Sequence, residues 1–428
     1  MKTTMLISFH CFFVLLLCTC DRAPNSQGVS ESNSQGVESS LPIDRETYEA
    51  KLQGFWLAQC IANWTGLITE MDKIGNIGEV KTGDFYTRAN WGGPDQPNIW
   101  SGDTISNISP IIDFVLLSPD TIWGADDDTD IEYMYQHLLY ENKTSMLTPE
   151  QIRNGWLKHI RPEEENYLWV SNQRALDLML ADTLPPLTGD PAYNEHYAMI
   201  DAQLTTEIFG LFAPGRPDLA LKMAHLPIRT SARGEAAEIA EFYVIMYALA
   251  INAKADKAGT QAIAATAREH LSEAGYPAKM YDFVKSRYEA GIPWEQCRDE
   301  VYQRYQVEEQ DGYDITSQNI YCNGCFAAGI NYAASLVSLF YGEGDLKETI
   351  KIGALSGWDS DNPTATWGGL LGFMLGRHGV EAAFGQKLSD KFWIHRTRQG
   401  FPNDGMDDFP AMAKRGADVM ERAMGGNH

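Results

Sequence analysis

Basic residues are scarce in this chain: 34 Lys and Arg stand against 58 Asp and Glu in 428 residues, a formal charge of −24 at pH 7. Nothing supplies the basic stripe that neutralises phosphates, which excludes nucleic acid as a partner. Cysteine is sparse too, seven in all. Past the amino-terminal leader only Cys60, Cys297, Cys322 and Cys325 remain, too few for a disulfide scaffold. Cys322-Asn323-Gly324-Cys325 has C-x-x-C spacing, yet no second pair or His-x-His partner completes a zinc site; these cysteines read as buried thiols on a helix. Strand-like alternation bounded by hairpin turns is rare, and no repeat recurs at solenoid periods. Neither apolar stretch, Leu6 to Leu17 or the glycine-rich Thr364 to Gly376, is long enough to span a bilayer as a helix.

The amino terminus reads as an address. Lys2 gives a short positive region, Leu6 to Leu17 an apolar one, and the run stops at Cys18-Thr19-Cys20. Residues 1–19 are expected to be a secretory signal, and the Leu17-Cys18-Thr19-Cys20 sequence resembles a bacterial lipobox, with Cys20 the lipidated first residue. Residues 20–43, rich in Ser, Asn, Gln and Gly, are expected to form a flexible tether. The expected location is the bacterial cell envelope, with the membrane touched only through the lipid anchor.

From 44 to 428 the composition is globular without a later linker. Ile131 to Leu139 spaces apolar residues three and four apart, while Ala236 to Ala250 and Phe326 to Tyr341 are apolar nearly all round, as helices enclosed by other helices are. The expected fold class is all-α, a single compact domain.

Two acidic runs carry the chemistry: Asp126-Asp127-Asp128-Thr129, and Gly357-Trp358-Asp359-Ser360-Asp361-Asn362-Pro363. Neither contains Lys or Arg. Adjacent carboxylates repel, so a fold that gathers them needs positive charge, and hard cations such as Mg²⁺, Mn²⁺ or Ca²⁺ prefer oxygen ligands. Both runs sit where a loop meets a helix, with Asp128 and Thr129 as good N-cap types and Pro363 suited to a first turn. An ordinary solvated capping loop is the plainer alternative for either run alone; two runs in matching contexts favour a metal. The glycines at 368, 369 and 372 each cost about 1 kcal/mol against Ala in a helix interior, so their number points to close helix packing.

These runs resemble the motifs of a family. Asp126-Asp127-Asp128-Thr129 is similar to the Thr-Asp-Asp-Thr metal motif of ADP-ribosylglycohydrolases. Gly357 to Gly372 resembles their C-terminal Asp-Thr-Asp-Thr-x-Ala-Ala segment, with Asp359, Asp361, Ala365 and Gly368 in register. Ala58, Ala62, Gly66 and Glu70 resemble their N-terminal signature, small residues at four-residue steps ending in a catalytic Glu. The ordered trio spans about residues 44–428. What the resemblance implies is an all-helical fold with two Mg²⁺ ions in a central cleft, Asp126, Asp127, Asp128, Asp359 and Asp361 as ligands, and Glu70 as the acid/base or metal-gating carboxylate, with Asp127 beside it in catalysis. Asp126 departs from the motif by replacing Thr, as does Asn362, and in Ser231-Ala232-Arg233-Gly234-Glu235 Ala232 stands where some relatives carry His.

The chemistry of the residues is compatible with that reading. Cleaving a glycosidic bond needs a held sugar, an activated water and a proton source. Glu70, expected on a small-residue helix amid Ile61, Trp64 and Leu67, would be partly desolvated and so shifted towards acid/base use. Trp123 and Trp358 could offer flat faces to a sugar or base, Asn323 could face the sugar, Glu235 is a further acidic candidate, and the loop from Trp91 to Thr104 reads as a rim of the cleft. The leading expectation is a metal-dependent glycoside hydrolase acting on an extracytoplasmic glycan or other sugar conjugate, since the exported chain meets glycans and not the chiefly intracellular ADP-ribosylated proteins. Release of ADP-ribose is the alternative; a non-catalytic metal- or glycan-binding lipoprotein is a third.

Overall fold

The computed structural model describes residues 43–162, 166–394 and 396–425. The expected signal, the lipidated Cys20 and the tether up to residue 42 lie outside the described residues.

Two long helices form the spine, Arg45–Gly66 and Asp361–Phe384. Asp44 caps the first, its carboxylate accepting from the Thr47 N–H at 2.9 Å, and the small residues on one face let the second lie directly against it. A Cβ added at Gly368 would run into Ala62 Cβ, and one at Gly372 into Ala58 Cβ and the Gly54 carbonyl. The four-residue steps legible in the sequence are therefore the contact stripe of this helix pair. The second helix kinks at Gly376, whose φ of 68° lies in the left-handed region. Lys51 donates to the Met374 carbonyl beside the kink at 3.0 Å.

Around the spine pack the helices Asp127–Glu141, Gly234–Leu249, Ala328–Gly342, Leu346–Ser356 and Phe409–Gly425. The helix Gly234–Leu249 buries residues on every side, as its composition implied. The helix expected from Phe326 begins two residues later, at Ala328, and Cys322 and Cys325 precede it in a turn, joined as a disulfide. They are thus not the free helical thiols expected; Cys60 and Cys297 are free and buried.

The only sheet among the described residues has three short strands, β1 (Trp123–Gly124), β2 (Lys391–Trp393) and β3 (Met406–Asp408). β1 runs parallel to β2 with Trp123 opposite Phe392, and β2 antiparallel to β3 with Phe392 opposite Asp407. Its role is to fix the chain just ahead of Asp126. The fold is all-α in class. Among the described residues no helix is long and apolar enough to cross a membrane.

Candidate functional site

Glu70 sits in the turn just past the first helix, which ends at Gly66, and not on the helix itself. That turn is clasped to the second acidic run. The Thr69 hydroxyl donates to the Ala354 carbonyl at 2.5 Å and lies 3.0 Å from Ser360 Oγ. Met71 N–H donates to the Trp358 carbonyl at 2.9 Å, and Trp358 N–H to the Lys73 carbonyl at 2.8 Å. The clasp sets Glu70 beside Asp359 and Asp361, and one carboxylate oxygen from each of the three lies within 4.8 Å of the others.

The first acidic run makes a second trio. One oxygen from each of Asp126, Asp127 and Asp128 falls within the same 4.8 Å. Asp126, two residues earlier than the sequence suggested, is the cap of helix Asp127–Glu141, its Oδ1 accepting from Asp128 N–H at 3.2 Å. The positive end of the helix dipole offsets part of the crowding. Asn362 ties the runs together, donating to Asp128 Oδ1 at 3.0 Å, while Asn63 of the first helix donates to Asp128 Oδ2 at 3.4 Å.

Glu70, Asp127, Asp128, Asp359 and Asp361 line one chamber, and Asp201 joins them. The chamber's free volume is only about 10 Å³, room for one water, and Trp169, Val170, Ile200, Leu204 and Phe326 complete its wall. Three carboxylate oxygens on or beside this wall, Asp126 Oδ2, Asp201 Oδ2 and Asp361 Oδ1, are buried with no hydrogen-bond partner among the described residues. Such orphaned acceptors are costly unless something meets them.

The electrostatics tell the same story. Burial, then the charges of Asp361, Asp359, Asp127 and Asp126, holds the Glu70 carboxyl well above its ordinary range. Asp127 and Asp128 are raised by burial and by their acidic neighbours, and burial lifts Asp361 to about 6. The buried guanidinium of Arg398 serves Asp130 instead, at 3.0 Å. A divalent ion among the carboxylates would reverse these shifts, because its charge favours every ionised form. An all-oxygen donor set with unmet buried acceptors fits a hard cation.

The model of the ADP-ribosylglycohydrolase family matches residues 44–416. The chain belongs to the ADP-ribosylglycohydrolase family. No curated protein matches it. Among solved structures, one titled ADP-ribosylglycohydrolase-related protein complex is 17% identical, with a TM-score of 0.51 over 89% of this chain and 100% of that one, a likeness of fold. Membership in the ADP-ribosylglycohydrolase family supports a hydrolase-type function, and the acidic trios are groups that could hold metal.

Of the expected site residues, the structure brings Glu70, Asp127, Asp128, Asp359 and Asp361 to one chamber with Asp126 beside Asp127 and Asp128, and sets four others elsewhere. Trp123 is fully buried, its indole donating to the Ser389 carbonyl at 3.1 Å. Trp358 is equally buried, packed on Phe85 and donating to Gln306 Oε1 at 2.8 Å. Neither ring has a face left for a sugar. Asn323 spends its amide on the Ile77 carbonyl at 3.1 Å, and Glu235 is exposed at the start of helix Gly234–Leu249, outside the chamber lining. Missed were Asp201, Asn63 and Trp169. Asp201 is one carboxylate with no motif around it, and only its unmet buried oxygen singles it out.

Proposed function

We propose that this chain is a divalent-metal-dependent glycosidase that cleaves a glycosidic bond in an extracytoplasmic sugar conjugate or glycan. The observation that carries the reading is the meeting of two carboxylate trios around one chamber, with buried oxygens that no protein group satisfies. Asp126, Asp127, Asp128, Asp359 and Asp361 would hold two ions, Mg²⁺ being the first choice and Mn²⁺ or Ca²⁺ the others, and Asp201 stands ready as a further oxygen donor. When bound, such ions hold vicinal hydroxyls and lower the pKa of a bound water.

The chain's own groups do the rest. Glu70, on the chamber wall beside Asp359 and Asp361, can take a proton from water and return it to the leaving oxygen. Asp127, in the first helical turn, faces the same space and can orient the attacking water. Trp169, Val170 and Phe326 exclude solvent, which strengthens each charge interaction inside. The lipobox-like Leu17-Cys18-Thr19-Cys20 run after an apolar leader supports assigning this work to the outside of the cytoplasm, on a lipid anchor.

The test is sugar release from a glycan panel, expected to stop with chelator and to resume with Mg²⁺. Glu70→Gln is expected to keep its metal by calorimetry and to lose at least about 10²-fold in kcat. Unchanged kcat removes Glu70 from the reaction. Release of ADP-ribose from a modified protein, with no sugar released from the panel, transfers the reading to the alternative activity; binding of metal and sugar without turnover transfers it to the non-catalytic one.

A further inference from the structure

Above the acidic chamber lies a second, open cavity of about 530 Å³, within the roughly 300–1,000 Å³ of small-ligand sites. Trp169, Val170 and Phe326 line both spaces, so the cavity leads onto the chamber wall. Its most unusual feature is aromatic. Trp100 and Trp169 lie nearly parallel, 7° apart with ring centroids at 5.6 Å, and Phe326 is within 17° of both. Trp100 is 48% and Trp169 37% exposed. Two large rings stacked on one another at the edge of solvent leave an outer face and edges open, apolar surface of the kind that marks a binding site.

The charge of the lining narrows what that face can take. Among the described residues Arg174 is the guanidinium on the lining itself, engaged by Glu195 at 3.2 Å and by the Tyr193 carbonyl at 3.0 Å, while Arg396 donates to the hydroxyl of Tyr167, a lining residue, at 3.0 Å. Asp177 and Glu195 are both carboxylates on the wall. A diphosphate would enter with Arg174 already paired to Glu195 and with Asp177 left as an acid on the wall, whereas phosphate sites present Arg or Lys in excess. A pyranose ring suits the same wall. Its C–H face meets the electron-rich face of an indole, and its hydroxyls can donate to Asp177 and Glu195 and accept from the amides of Asn166 and Gln173.

We infer that this outer cavity is the subsite for the part of the substrate beyond the scissile bond, and that it takes a neutral sugar ring on Trp100 and Trp169 in place of a nucleoside diphosphate. The inference rests on the glycosidase reading and specifies its substrate class. The test uses the full chain, with Mg²⁺ present, and follows tryptophan fluorescence and calorimetry with two sets of probes: neutral tetrasaccharides of glucose, xylose and N-acetylglucosamine, and ADP-ribose. At least one sugar is expected to bind more tightly than ADP-ribose. Trp100→Ala, at an exposed position, is expected to weaken that sugar about tenfold, while Trp100→Phe restores most of the affinity. Failure of every sugar to bind, or a Trp100→Ala variant with unchanged sugar affinity, overturns the inference, as does ADP-ribose binding more tightly than all of them. Calorimetric Mg²⁺ binding without any sugar reads the metal site separately: its loss sinks the glycosidase reading, and its retention alongside a negative sugar result sinks this subsite alone.

Discussion

Replacing Gly368 by alanine sets helix propensity against packing at one atom. In an exposed helix interior the change stabilises by about 0.8–1 kcal/mol. At Gly368 the new Cβ would strike Ala62 Cβ and stand 2.9 Å from the Ala58 carbonyl oxygen. Neither obstacle has a torsion that swings it aside, so the two spine helices must part, and overpacking of that kind costs about 1–3 kcal/mol. Subtracting the propensity gain leaves a destabilisation of up to about 2 kcal/mol. Urea unfolding against the parent chain, with an unchanged m-value, gives the comparison. Because the stripe also holds Glu70 near Asp361, the Gly368 variant should bind Mg²⁺ more weakly. A Gly368→Ala protein more stable than the parent by the full propensity gain would refute the claim that close contact, and not chance, put glycine there.

Other perturbations follow from groups already described. Asp127→Asn and Asp361→Asn are expected to lose metal binding in calorimetry while the far-ultraviolet spectrum stays helical; retained binding in both would refute the ligand assignment. Arg398→Met leaves Asp130 buried and unpaired and should cost about 3–5 kcal/mol in denaturant unfolding, of which adding Asp130→Asn recovers a part. In the core, Glu207 accepts from the Thr366 hydroxyl at 3.0 Å, and burial raises its carboxyl to about 8. The folded state then holds a proton that the unfolded state has released above its ordinary value near 4.5, so stability falls as pH rises from about 4.5 to 8, by up to about 1.4 kcal/mol per pH unit, and levels off above. Glu207→Gln keeps the acceptor for Thr366 and should flatten that slope; equal slopes in the two proteins would refute the assignment.

The spine and the two acidic runs were legible because their signals are local. Small residues at four-residue steps and paired aspartates at a loop–helix junction each fit within a short window, and the helix period does the rest. What stayed hidden depends on contacts between distant segments. A tryptophan beside a candidate ligand looks the same whether its face is free or covered; at Trp123 and Trp358 the covering atoms come from Ser389, Phe85 and Gln306, which no spacing rule connects to them. Asp201 and Trp169 stand alone in their segments and reach the chamber only through the packing of short helices and turns. The helix boundary near Phe326 was misplaced because an apolar run continues through the residues before Ala328, where the disulfide-closed turn takes over.

The clasp between residues 71–73 and Trp358 is made of main-chain groups. Changing the side chains of Met71, Lys73 or Trp358 leaves these bonds their donors and acceptors, so the separation they set between Glu70 and Asp359 depends little on those three side chains. That spacing belongs to chain length: an insertion or deletion of a single residue between 67 and 73, or between 357 and 360, would shift one partner out of step and slide the two carboxylates past each other. The site is thus more tolerant of altered letters around its acid than of an altered count.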